Sequence, residues 1–153
     1  MSLGVPVINL SNMKRSYYYF LATTISLTIG SLLLNLVFKS LINHSLFNRI
    51  NSWVLFFILL AGAFLTSYVD KKEYKTIMET ADLETRFAVY ERYYKRKMFW
   101  NAISFAITAI LYVGTGKNIF LYIMLIQLFM SFTFFPGKKF ISTIFKDQDA
   151  VTI

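Results

Sequence analysis

The residues of this chain that could do chemistry at depth are few, neutral and regularly spaced. Thr24, Thr28, Ser31 and Asn35 fall at offsets of 0, 4, 7 and 11, which is one face of a helix. Asn101, Ser104 and Thr108 follow at 0, 3 and 7, and Gln127 and Ser131 stand four apart. Each set sits in an apolar stretch, so each stripe should point inward. Two kinds of work suit such stripes. They let helices approach and bond across an interface, or they line a pathway or small site for a neutral ligand. Charge separates the two, because proton relays and ion-coupled carriers place Asp, Glu, His or Arg at depth. None lies within these stretches. Packing is therefore the first expectation. Asn35, Asn101 and Gln127 are the residues that would carry a site.

Covalent and metal chemistry have less to work with. The chain contains no cysteine, which removes disulfides, thiolate ligands and a cysteine nucleophile. His44 is its one histidine, and no acidic residue precedes Asp70, so a metal set around it is not expected. Asp82 and Glu84 could pair as acid and base, but acidic residues also suit the first turn of a helix. The run Gly114-Thr115-Gly116-Lys117-Asn118 has glycines and a lysine, yet lacks the spacing and following Ser or Thr of a phosphate-binding loop. It reads as a tight turn. No catalytic residue, metal ligand or cofactor is assigned.

The elements that must position these residues are four apolar stretches, about 17–38, 53–69, 98–113 and 119–135, without an Asp, Glu, Lys or Arg among them. A bilayer core of about 30 Å needs ~20 helical residues. Only helices and closed barrels satisfy the backbone in lipid, and these stretches do not alternate as barrel strands do. The expected fold is all-α: an integral membrane four-helix bundle in a single domain, residues 1–153. Tyr17, Tyr18, Tyr19, Trp53, Tyr68 and Trp100 fall at the expected membrane edges, where aromatic rings are favoured.

The net charge of +8 points to a membrane surface rather than to nucleic acid. Thirteen of the sixteen Lys and Arg lie before the first stretch, between the second and third, or after the fourth. Lys39, Arg49 and Lys117 are the other three. This bias places both flanks of the helical region in the cytoplasm, against anionic lipid.

The segment between the second and third stretches, about 70–97, is the second informative region. No Gly or Pro occurs between Ala63 and Val113, and Lys75–Glu79, Asp82–Arg86 and Glu91–Lys95 are opposite charges four apart. Leu83, Phe87, Tyr90 and Tyr94 share one helical face. The second and third helices are expected to extend past the membrane as a cytoplasmic hairpin, turning near Thr80–Asp82. Its stripe, with Arg86 and Arg92 beside it, docks a partner, packs within the hairpin, or lies along the anionic leaflet with its tyrosines in the interface. Ser11 or Asn12 should cap the first helix. The loop from Lys39 to Ser52 and the piece from Lys138 to Ile144 read as short interfacial segments.

Two four-span families fail on their motifs. Small multidrug transporters require a Glu within the first span, and membrane-associated glutathione enzymes a Glu-x-x-x-Arg spacing at a helix edge. Neither is present. Arg86-Phe87-x-x-Tyr90, the run from Phe99 to Tyr112, the turn Thr115-Gly116 leading into Asn118-Ile119-Phe120-Leu121, and Pro136-x-Lys138-Lys139 resemble a group of small, uncharacterised four-span inner-membrane proteins of Gram-negative bacteria. The resemblance covers about the last 70 residues, less than half of the chain. It departs at Trp100-Asn101, where that group carries an Arg and a Glu-Gly. It implies a bacterial inner-membrane address and no known activity. The expected role is a non-enzymatic accessory or scaffold subunit with a protein partner or a second copy. The alternative is a small transporter or channel for a neutral or lipid-like substrate.

Overall fold

A computed structural model describes residues 7–38, 52–79, 83–137 and 151–152. The interfacial segments expected around 39–51 and 138–144, and the turn at 80–82, lie outside the described residues. The described chain is helical apart from one short pairing. Helix α1 spans Ser11–Phe38, α2 Ser52–Met78, α3 Leu83–Thr115 and α4 Asn118–Ser131. Strand β1, Val7–Ile8, pairs in parallel with β2, Val151–Thr152.

Local sequence sets the ends of these helices. At the start of α1 the expected cap is displaced by two residues. The Asn9 side chain accepts from the Ser11 N–H at 2.9 Å, and the first helical bond runs from Lys14 N–H to the Leu10 carbonyl at 2.9 Å. Leu10 and Met13 are fully buried, so this edge is part of the core rather than an interfacial lead-in. At the end of α3, Gly116 takes φ 64° and donates its N–H to the Tyr112 carbonyl at 2.8 Å. That left-handed residue closes the helix and turns the chain into α4. α4 tightens into a 3-10 turn at Phe132–Phe134, and Phe135 is extended at φ −60°, ψ 123°. A residue before proline is pushed out of the helical region, so Pro136 stops the helix here.

Three helices, α1, α2 and α3, are long and apolar enough to cross a membrane, and α4 with its 3-10 turn is a shorter apolar helix. α2 and α3 run unbroken from apolar into charged sequence, at 27 and 33 residues. The outer surface is apolar: Phe129 and Leu36 are 78% and 75% exposed, with Phe64, Ile110 and Ile126 close behind. Water-soluble monomers rarely expose apolar surface on this scale, so the exposed residues are compatible with a membrane protein.

Two core clusters fix the packing. In one, Leu10, Met13, Tyr17 and Phe20 of α1 and its lead-in meet Tyr90, Tyr94 and Met98 of α3 and Ile77 of α2. In the other, Phe105, Ala109 and Tyr112 of α3 meet Phe120 and Met124 of α4, flanked by Leu27, Leu32, Leu55 and Leu59. These contacts order the helices: α1 runs alongside α3 in the same direction, and α2 and α4 run opposite. The helices are not equal partners. α1, α3 and α4 share the interior, whereas among the described residues none in the apolar half of α2 is buried.

One edge residue departs from expectation. Tyr18, Tyr19, Trp53, Tyr68 and Trp100 are exposed, but Tyr17 is buried and packs edge-on against Phe135 at 5.3 Å. The helical period turns it inward with Met13 and Phe20.

Candidate functional site

The polar stripes of α1, α3 and α4 converge on the interior. Thr24, Thr28, Ser31, Thr108 and Ser131 are buried. Their hydroxyls are mostly spent on their own helices. Thr28 donates to the Thr24 carbonyl at 2.8 Å, Ser31 to Thr28 at 2.9 Å, Thr108 to Ser104 at 3.0 Å and Ser131 to Gln127 at 2.8 Å. Thr24 does the same to Leu21 at 2.9 Å. Back-bonding of this kind satisfies a buried hydroxyl without a ligand. Two contacts cross between helices. Ser31 reaches the Met124 sulfur at 3.5 Å, and the Gln127 side-chain N–H donates to the Ser104 hydroxyl at 3.2 Å. Asn35, one turn beyond Ser31, is half-buried and lies at the far end of this layer from Asn101.

The amides are the exception to this self-sufficiency. Asn101 Nδ2 and Gln127 Oε1 are buried without a hydrogen-bond partner. One is a donor and the other an acceptor, and Ser104 stands one turn from Asn101 on α3. A buried amide group without a partner costs on the order of 1–3 kcal/mol.

The hairpin stripe is an internal surface. Tyr90 and Tyr94 are buried, and Phe87 packs against them in the cluster that holds Leu10, Met13 and Ile77. Leu83 opens α3. Arg86 is half-buried and Arg92 is exposed. Lys75–Glu79 and Lys95–Glu91 form the expected pairs at 3.9 and 2.6 Å, the first on open surface, where such pairs contribute little, and the second with Glu91 half-buried.

A second arrangement was not singled out by sequence spacing. Where the apolar halves of α2 and α3 give way to charge, Asp70 and Lys97 pair at 2.6 Å, and Glu73 pairs with Arg96 beside them. The Lys97 ammonium lies 5.8 Å from the Tyr93 ring centre and 5.7 Å from that of Phe134. The Tyr94 hydroxyl donates to the Phe134 carbonyl at 2.7 Å and ties α3 to the end of α4. Tyr74, Tyr90, Tyr93, Tyr94, Lys97 and Phe134 border a cleft of 330 Å³. Burial pushes the Tyr90, Tyr93 and Tyr94 hydroxyls well above the usual phenol range. For Tyr93 the Asp70 carboxylate against it adds to the effect. The sequence signal was present: Asp70 and Lys97 are the charges nearest the apolar stretches on each arm of the hairpin, so an antiparallel pairing brings them level.

Among the described residues, no cluster of His, Asp or Glu could hold a metal ion. No known protein family matches this chain. Neither a curated protein nor a solved structure matches it either.

Proposed function

We propose that this chain is a non-enzymatic accessory or scaffold subunit of a bacterial inner membrane, crossing it four times with both flanks in the cytoplasm. The observation that carries the reading is the state of α2. The described side chains of its apolar half meet the rest of the protein chiefly through Leu55 and Leu59. Trp53, Phe57, Phe64 and Tyr68 are exposed along the same helix. Nothing lies within 4 Å of where a Cβ would stand on Gly62. Gly62 has Ala61 and Ala63 beside it, the small residues that let a second helix approach closely. α2 is then the face offered to a partner helix, from another protein or a second copy. The charge bias supports the orientation. The β1–β2 pairing supports the even number of crossings, since it holds residues 7–8 and 151–152 together on one side.

Gly62→Leu tests this. Own-chain packing has room for the side chain, so helical content and unfolding midpoint should hold or rise, as a helical Gly costs roughly 1 kcal/mol relative to better helix formers. The partner or second copy seen by mass spectrometry after gentle extraction should be lost. An unchanged complex would sink the reading.

A second reading, a small transporter or channel for a neutral substrate, is favoured by one observation. Asn101 Nδ2 and Gln127 Oε1 are a buried donor and acceptor without partners between α3 and α4. On that reading Asn101→Leu abolishes flux while leaving the fold intact.

A further inference from the structure

The cleft at the charged end of the helices combines features that the subunit reading does not use. It opens where α2, α3 and the end of α4 meet, and Met98, the first residue of the third apolar stretch, lines its inner side together with Thr133. In the membrane orientation proposed above, on which this inference rests, that is the depth of the cytoplasmic headgroups. Its volume of 330 Å³ lies at the small end of the ~300–1,000 Å³ range of ligand pockets. Phe129 is exposed one turn before Thr133 on α4, which gives an acyl chain an apolar track leading away from the cleft.

Charge selects the ligand. Lys97 lines the cleft, and Asp70, just outside the lining, pairs with it at 2.6 Å; each side chain is 30% exposed, so the pair presents both signs and no net charge beside the cleft. An anion drawn to Lys97 meets the Asp70 carboxylate, and a cation drawn to Asp70 meets the Lys97 ammonium. A headgroup with both charges gains at both residues. The rings already hold a cation, since the Lys97 ammonium sits over Tyr93 and Phe134. Tyrosine faces attract alkylammonium groups by the same quadrupole effect. An ammonium has three donor hydrogens, which leaves Lys97 able to reach a phosphate while it stays on Asp70.

We infer that the cleft seats the headgroup of a zwitterionic phospholipid, its ammonium against Asp70 and the tyrosine rings and its phosphate against Lys97.

The test is reconstitution into vesicles of equimolar phosphatidylethanolamine, phosphatidylcholine and phosphatidylglycerol. The protein is then extracted gently, and retained lipids are counted by native mass spectrometry. The wild-type chain should keep a zwitterionic lipid above its one-third share of each species. The double variant Asp70→Asn/Lys97→Gln removes both charges without leaving either unpaired, so the fold survives, as circular dichroism can verify. It should retain at least fivefold less of that lipid. Glu91→Gln/Lys95→Gln, which neutralises another ion pair on the same helix but outside the cleft lining, should retain it in full. Preferential retention of phosphatidylglycerol, or equal retention by wild type and the Asp70/Lys97 double variant, overturns the inference. Loss in both double variants also overturns it, because surface charge alone would then be responsible. A chain that does not float with the vesicles overturns the membrane reading as well, and flotation separates that outcome from failure of the cleft.

Discussion

At the scale of single residues, the interior holds two kinds of polar group with opposite consequences. The buried hydroxyls of α1 are satisfied by their own backbone, with Ser31 adding a long contact to the Met124 sulfur. The amides are not, because Gln127 makes one bond to Ser104 and leaves its oxygen unmet. Replacing both ends of a bond by apolar groups removes the bond and the unmet atom together. Gln127→Leu with Ser104→Ala should therefore leave stability unchanged or raise it by about 1 kcal/mol, read as the midpoint of detergent-induced unfolding. A loss of 2 kcal/mol or more would show that the amide is better satisfied than its contacts indicate. The tyrosines give a pH signature. The folded-state hydroxyls of Tyr90, Tyr93 and Tyr94 are raised above the usual value of 10.0. Below that pH folded and unfolded chains are equally protonated there and the stability is complete. Above it the unfolded chain releases protons that the folded chain keeps, so stability falls by up to ~1.4 kcal/mol per pH unit for each tyrosine. In an alkaline titration followed at the phenolate absorbance band, these three of the ten tyrosines should ionise only as helical signal is lost. Ionisation of all ten with the helices intact would refute the shift. The polar stripes were legible because their period matches the helix. Leu10 and Met13 were not, since an apolar residue ahead of a helix looks the same in sequence whether it meets lipid or a neighbouring tyrosine.

At the scale of elements, length and composition spoke clearly and packing partners did not. The absence of Gly and Pro between Ala63 and Val113 was the signal for the long arms of α2 and α3, which run from apolar into charged sequence. The α-helical part of α4 ends at Ser131 and its 3-10 turn at Phe134, short of the end of the apolar stretch at 135, because Pro136 acts on the backbone ahead of it. The unequal burial of α2 could not be read from composition, since lipid and a neighbouring helix demand the same apolar residues. The turn between α3 and α4 depends on a single residue. Gly116 at φ 64° occupies the region where a Cβ costs about 1–2 kcal/mol. Gly116→Val should lower the unfolding midpoint by that amount, and Gly116→Asn by clearly less, since asparagine tolerates this conformation. Equal effects of the two would place the sensitivity elsewhere in the turn.

At the scale of the whole molecule, two independent observations bear on the proposed topology: the β1–β2 pairing favours both flanks on one side, and the charge bias favours the cytoplasm as that side. The absence of cysteine makes the test direct. Glu79→Cys, at the tip of the α2 arm, should react with a membrane-impermeant maleimide only after the cells are opened. Lys117→Cys, in the turn before α4, should react in intact cells. The reverse pattern would invert the orientation, and reaction of both from outside would break the hairpin assignment.

The short α4 has a consequence for the membrane itself. Its 14 α-helical residues and 3-10 turn of three span ~27 Å at 1.5 and 2.0 Å per residue, against ~30 Å of hydrocarbon. If an even number of crossings makes α4 a full span, the bilayer beside it must pinch by ~3 Å, at fractions of a kcal/mol per Å. α1, with 28 residues, has length to spare and can tilt instead. The protein would thus sit in a lopsided dimple, thinner along α4 than along α1, and would partition toward thinner membrane.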